Sequence, residues 1–365
     1  MRPAAGDAIR GLLDPIGGPV AGDPGRIHLE GMTARVAVEQ AREQVATLVG
    51  ARSREVVFTS GATESIAAAT YGARERDPAR THVVLAAVEH SAVRQWAERG
   101  PHTVVGVDRT GRVDPDELLG AVRDDTARVH VQGGNHEVGT LQPVGDVVAA
   151  CRERGVLVHV DAAQAVGRVP VDFVGLGADL LSVSGHKFGG PPGTGALLVR
   201  RGLRIPPLLV GGDQERARRA GMENTLGVVA VGAASEDAAS TLADGEQRCR
   251  ALTDRVRRWA ATADGIDVVG AVGDAGLPHI VCVTFQAVEP QPVLLGLDQA
   301  GVAVHSGSSC SSESLEPSPV LQAMGVDAHR SLRISVGWDT VDADIDALLA
   351  ALPAVLERLL ALGRS

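Results

Sequence analysis

Five segments carry residue types whose spacing could do chemistry. Lys187 stands in Ser182-Val-Ser-Gly-His-Lys-Phe-Gly-Gly-Pro-Pro-Gly-Thr-Gly195, where an apolar strand gives way to a turn too rich in Gly and Pro to be helical. Ligands of open α/β sheets gather at the carboxyl ends of strands. A lysine held there beside Ser184 and His186 can form a Schiff base with a carbonyl compound. Taken alone, a solvated loop lysine explains Lys187 better; the remaining segments reverse that. Asp161 closes the apolar run in Val158-His-Val-Asp-Ala-Ala-Gln164, 26 residues before Lys187. Its carboxylate can keep a pyridine nitrogen protonated, which makes that ring an electron sink, or it can simply cap a helix.

Thr59-Ser-Gly-Ala-Thr-Glu-Ser65 turns from a strand into a helix. The free amides and dipole of such a helix start favour a phosphate, and Thr63 adds a hydroxyl, although a bare cap looks the same. Cys310 lies in Val304-His-Ser-Gly-Ser-Ser-Cys-Ser-Ser-Glu-Ser-Leu-Glu-Pro-Ser-Pro319, among small polar residues. That setting suits a reactive thiolate, whereas Cys282 in HIVCVTF reads as a core thiol. Arg333 interrupts the strand pattern of Ser331-Leu-Arg-Ile-Ser-Val-Gly337 and is either a carboxylate clamp or an outward-facing charge.

The elements that must position these residues alternate. From about residue 53, short apolar strands (55–59, 82–87, 103–107, 128–132, 156–160, 179–184, 195–199) are separated by helical stretches (62–74, 91–99, 114–122, 144–154). Strands spaced by helices imply βαβ units and a mostly parallel sheet. After about residue 222 the texture changes to Ala-rich helices at 226–242 and 246–261. Shorter strands follow at 268–269, 279–285, 302–305 and 332–336, with helices at 292–300 and from 342, as in a smaller α+β domain. The expected division is a large domain at 22–225 and a small one made of 1–21 and 226–365. Residues 1–25, rich in Gly and Pro, are expected to wrap the surface.

Composition narrows the classes of function. The 365 residues carry a net charge of −10 and only 2% aromatics, which argues against a nucleic-acid binder, although Arg216, Arg218 and Arg219 could form a local anion site. Apolar runs are too short for a membrane span, and no signal-peptide core opens the chain. Four cysteines without a CxxC pair make neither a disulfide framework nor a zinc site, and the expected compartment is a reducing cytoplasm.

TSGATES, VEHSAV, HVDAAQAVG, SGHKFGGPPGTGAL, SGSSCSSESLEPSPVL and SLRISVG occur in the order and approximate spacing of the NifS/IscS-like cysteine desulfurases of the class V aminotransferases. The resemblance runs from about Gly22 to the C-terminal helix. It implies the type I fold of pyridoxal 5′-phosphate (PLP) enzymes: an α/β large domain with a seven-stranded, mostly parallel sheet, plus a smaller α+β domain. It implies PLP joined to Lys187, His90 stacked on the ring, Asp161 on the pyridine nitrogen and Gln164 facing the ring hydroxyl. Ala62, Thr63, Ser184 and His186 would bind the phosphate, and Asn135 and Arg333 the substrate. The implied reaction converts L-cysteine to L-alanine, with Cys310 taking the sulfur as a persulfide for an acceptor and His90 able to shuttle a proton. Relatives of this kind are homodimers.

Three places depart from that pattern. Asn135-His-Glu-Val-Gly139 puts His136 where the family usually has the Asn that donates to the PLP ring oxygen, a role an imidazole N–H can take. Met222 stands where a Thr usually reaches the partner subunit's phosphate, so weaker PLP retention is expected unless Arg219 compensates. Met1–Arg10 resembles the stretch after the family's opening strand and Ala-Thr-Thr-Pro-like turn, so that opening segment is expected to be absent or to lie upstream. Two other functions compete: a selenocysteine lyase or another PLP-dependent C–S lyase, and a weakly active or inactive sulfur-transfer scaffold.

Overall fold

A computed structural model of the chain describes residues 1–13, 22–306 and 317–362. Two compact units form, the first from Met1–Val105, Pro115–Gly133 and Pro143–Leu242, the second from Gly106–Asp114, Gly134–Gln142 and Ala243–Ser365.

The first unit opens with α1 (Pro3–Leu13) and α2 (Leu29–Leu48). Strands β1 (Val56–Thr59), β2 (His82–Ala86), β3 (His102–Val105), β4 (Thr126–Gln132), β5 (Leu157–Asp161), β6 (Leu180–Ser184) and β7 (Gly195–Val199) form one sheet in the order β1-β7-β6-β5-β4-β2-β3. β2 through β6 pair in parallel, while β7 runs antiparallel to both β6 and β1. All strands but β7 therefore end at one edge. β2, β4, β5 and β6 are buried along their whole length, as expected of a sheet covered on both faces.

The connecting helices are α3 (Ala62–Arg76), α4 (Ser91–Ala97), α5 (Pro115–Gly120), α6 (Val144–Glu153) and α7 (Phe173–Leu176). A single turn, α8 (Gln214–Ala217), and then α9 (Thr225–Ser240) complete the unit.

The N-terminal segment corrects the expectation of a surface wrap. Residues 3–13 are helical, Ala5 is fully buried, and α1 packs on α9. The alternation read from residue 53 onward also left α2 unassigned. α2 lies against α9 at close range, where a Cβ on Gly232 would come within 2.6 Å of Ala41 Cα. Helices α1 and α9 both fall within the first unit, which extends to Leu242 rather than ending at residue 225.

The second unit contains α10 (Leu242–Ala260, its first residue shared with the first unit), β8 (Ile266–Val269), β9 (Ile280–Phe285), α11 (Pro290–Gln299), β10 (His305–Ser306), α12 (Pro319–Ala323), β11 (Ser331–Ser335) and α13 (Asp342–Leu362). Its antiparallel sheet has the order β10-β11-β9-β8. Val256, Val283, Val293, Leu297, Leu332 and Leu352 anchor the core against that sheet.

The 134–142 segment joins this unit through its hydrogen bonds. Leu277 N–H donates to Gly139 O at 2.7 Å, Leu141 N–H to Ala275 O at 2.9 Å, and Ala271 N–H to Thr140 Oγ1 at 2.9 Å.

Candidate functional site

The sheet topology delivers the chemistry-bearing residues of the first unit to one edge. Asp161 ends β5 and is buried, in register with Ser182 of β6 on one side and Gln132 of β4 on the other. Its Oδ1 accepts Ala163 N–H at 3.0 Å, which fixes the carboxylate just beyond the strand. Gln164 follows in the same turn and is partly exposed.

Lys187 ends a single 3₁₀ turn, Gly185–Lys187, that leaves the end of β6. Ser184 Oγ and His186 Nδ1 share a hydrogen bond of 3.1 Å. The His186 pKa is held below its usual value, first by partial burial and then by the positive charge of Lys187. Gly185 is required at this turn because a Cβ there would lie 2.4 Å from Thr194 Oγ1.

His90 follows β2 and caps α4, its Nδ1 accepting Ala92 N–H at 3.1 Å. In the neutral ring the proton is therefore on Nε2. The preceding Glu89 is buried, and its Oε1 accepts Gln132 N–H at 2.8 Å, which ties the β2 turn to β4.

Helix α3 begins at Ala62 with Gly61 as its N-cap, and no side chain caps its first amides. Gly195 brings β7 against this start, since a Cβ there would lie 2.6 Å from Gly61 Cα. Thr63 is exposed in the first turn. In the same turn, Arg219 grips Glu64 through Nε (2.9 Å) and Nη2 (3.3 Å). Burial acts to raise the Glu64 pKa, but hydrogen bonds from Arg219 and Ser60 outweigh it, so the carboxyl is held below its usual range. A cleft of about 190 Å³ opens here, lined by Ser60, Gly193, Gly195, Arg219, Met222 and Asn224.

The second unit holds Asn135, His136 and Arg333. Asn135 is fully buried, and its Oδ1 accepts the N–H groups of Glu137 (2.8 Å) and Val138 (2.9 Å). That oxygen shapes a tight turn, which closes with Gly139 at φ +78°. Arg333 on β11 donates through Nη1 to His136 O at 3.0 Å and lies in register with Cys282 and His305. His136 Nε2 is 3.5 Å from Glu137 Oε1. The other Glu137 oxygen accepts a 2.5 Å hydrogen bond from Ser318 Oγ, which also caps α12 by accepting Leu321 N–H at 3.2 Å.

Sequence reasoning passed over both Glu137 and Ser318, although each lies inside a quoted motif. Cys310 lies outside the described residues. The other three cysteines are buried, and burial pushes the thiols of Cys151 to about 11 and Cys282 to about 12.

Residues 21–348 match the family described as aminotransferase class-V. The chain is 39% identical over 348 residues to cysteine desulfurase IscS of Methanosarcina thermophila, an alignment that covers 93% of this chain and 86% of that protein. A solved NifS-like protein superposes with a TM-score of 0.88 at 30% identity, covering 97% of this chain and 96% of that one. A solved structure of SspA in complex with cysteine matches with a TM-score of 0.79 at 27% identity, over 93% and 97% of the two chains. The chain therefore belongs to the aminotransferase class-V family, within the group of proteins named cysteine desulfurases.

Proposed function

We propose that this chain is a PLP-dependent cysteine desulfurase that converts L-cysteine to L-alanine and passes the sulfur, as a Cys310 persulfide, to an acceptor. The observation that carries the reading is the placement of Asp161 at the end of β5 and of Lys187 just past the end of the adjacent strand β6, in a chain 39% identical to a cysteine desulfurase.

The residues fit the cofactor. Asp161 is buried at the end of β5, and its carboxylate would hold the pyridine nitrogen protonated. The uncapped α3 amides from Ala62 and Thr63, with the Ser184–His186 pair, supply donors of the kind a phosphate takes. By the family resemblance, Gln164 and His136 would take the hydrogen bonds to the ring oxygen, and His90 would stack on the ring. PLP, when bound, supplies a ring that takes up the charge left at the substrate Cα.

The remaining work falls to the chain's own groups. Lys187 Nζ would hold the cofactor and, as a free amine, would move the Cα proton. Arg333, with Asn135, binds the substrate carboxylate. The Cys310 thiolate attacks the substrate sulfur. A new S–S bond forms, the substrate Cβ–S bond breaks, and its electron pair goes to the carbon, which takes a proton to become the alanine methyl. His90, whose Nδ1 accepts Ala92 N–H, would move a proton at the thiol through Nε2.

The second copy of a homodimer is proposed to cover α2, where Leu29, Met32 and Val36 share one face at 77%, 56% and 67% exposure. No described helix is long and apolar enough to cross a membrane.

The purified protein should release alanine and sulfide from cysteine in the presence of dithiothreitol. Lys187→Ala should lose covalently attached cofactor, and Cys310→Ser should stop turnover. Full turnover by Cys310→Ser would exclude the persulfide route in favour of direct C–S lysis.

A further inference from the structure

The backbone that carries Lys187 is held from outside. A single 3₁₀ turn leaves its last carbonyls without partners in the turn, and here arginines take the carbonyl of Lys187 and those of the two residues that follow it. Arg168 Nη2 donates to Lys187 O at 3.0 Å, Arg2 Nε to Phe188 O at 2.8 Å, and the Arg2 backbone N–H to Gly189 O at 2.8 Å. Arg2 is itself buried and anchored to α9, where Nη1 donates to Asp237 Oδ2 at 2.7 Å, and to Thr241 Oγ1 just beyond that helix at 3.2 Å. Gly189 sits at φ +102°, and a Cβ there would lie 2.4 Å from Arg2 Cγ, so the arginine stem packs directly on the turn. Gly190 N–H returns to Gly185 O at 2.8 Å and closes the loop around Lys187.

We propose that Arg2 is a positioning residue for Lys187, clamping the Phe188–Gly189 backbone to α9 so that the lysine amine is presented from a fixed point. The proposal rests on Lys187 being the cofactor-bearing residue. Lysine has a flexible four-carbon stem, so its reach is only as well defined as the backbone from which it starts. Arg2 touches no reacting atom and acts through the turn. Its charge is balanced by Asp237, so clamping leaves no uncompensated cation in the interior.

The test compares Arg2→Met, Arg2→Lys and Asp237→Asn in the PLP-loaded protein. Arg2→Met removes the bonds to Phe188 O and to α9. Arg2→Lys keeps the charge and a partner for Asp237 but lacks the forked geometry needed to reach both. Hydrogen exchange at residues 187–190 should speed up in Arg2→Met and Asp237→Asn. PLP release on dialysis should quicken and kcat should fall about tenfold, in line with small misplacements of reacting groups, while KM for cysteine stays within about twofold because Arg333 is untouched. Arg2→Lys should fall between wild type and Arg2→Met.

Unaltered exchange at 187–190, or a lower Tm with unaltered PLP release and kcat, overturns the proposal. If Arg2→Met does not fold, Asp237→Asn and Arg2→Lys decide the same question. A wild-type protein that forms no alanine would sink the desulfurase reading instead, while the exchange comparison would still report on the clamp.

Discussion

Glu137 and Ser318, 181 residues apart in the chain, meet through a buried 2.5 Å hydrogen bond between Oε2 and Oγ. The bond ties the motif containing His136 to the first residues after the 307–316 segment that bears Cys310. Ser318→Ala removes a hydrogen bond to a charged group and the cap of α12, so it should cost about 2–3 kcal/mol. Glu137→Gln, which keeps an acceptor for Ser318, should cost less than Glu137→Ala. Equal losses in thermal denaturation for Gln and Ala would mean that the hydroxyl bond contributes little.

Arg42 and Glu215 form a bidentate ion pair of 2.6 and 2.7 Å, both residues buried, and Glu215 Oε2 also accepts Phe58 N–H at 2.9 Å. Burial acts to lower the Arg42 pKa, but Glu215 outweighs it and the guanidinium is held above its usual value. The pair pins three consecutive non-glycine residues in left-handed backbone, Glu215, Arg216 and Ala217 at φ 48°, 59° and 60°. Glu215→Ala should therefore cost about 3–5 kcal/mol by stranding Arg42. Ala217→Gly should stabilise by about 1 kcal/mol, because glycine adopts that conformation freely. A destabilised Ala217→Gly protein would contradict the strain.

Arg128 is fully buried in β4, and none of its three side-chain nitrogens has a hydrogen-bond partner among the described residues. Burial first, and then the like charge of Arg74, depress its pKa well below the usual value. Replacing an uncompensated buried charge by an apolar side chain of similar length is often neutral or stabilising by about 1–4 kcal/mol. Arg128→Met should therefore raise Tm or leave it unchanged. A clear fall in Tm would show that the buried guanidinium is compensated in the native protein.

On the same sheet, His130 Nδ1 lies 2.6 Å from His159 Nδ1, and His159 Nε2 lies 2.7 Å from Ser182 Oγ. Burial, followed by the charge of Arg128, holds both pKa values well below normal. The folded state therefore keeps these rings neutral, while the unfolded state takes up protons from about pH 6.5 downward. The stabilisation is complete above pH 6.5 and is lost progressively as pH falls toward the folded-state values, at up to about 1.4 kcal/mol per pH unit for each ring. His82 and His186, also depressed, add in the same direction. Tm should fall between pH 6.5 and 5.5, before most carboxylates titrate; a flat profile in that window would refute the linkage.

Thiol labelling offers a further check. With Cys151 and Cys282 pushed to about 11 and about 12 and Cys249 buried, one thiol per native chain should react rapidly with a disulfide reagent at pH 8. Cys310→Ser should remove that fast phase. Two or more fast thiols in the native protein would count against the assignment.

Sequence alone determined the alternation of strand and helix from residue 53 and the place of Lys187 and Asp161 at strand ends. It also marked Cys282 as a core thiol, which the fold buries completely. These are local signals: apolar runs of strand length and Gly/Pro punctuation. α2 escaped because its apolar positions are thin and interleaved with charges, and α1 because its Gly and Pro suggested an irregular chain.

Tertiary structure alone decided which distant groups meet. Arg2 reaches Phe188 across 186 positions, and Ser318 reaches Glu137 across 181. Asn135 turns out to spend its carbonyl oxygen on its own turn. The burial of Arg128 also came only from the fold, since a charge within a strand pattern ordinarily faces water. A one-dimensional pattern records which face a residue occupies, but hydrogen-bond partners depend on how the chain closes on itself.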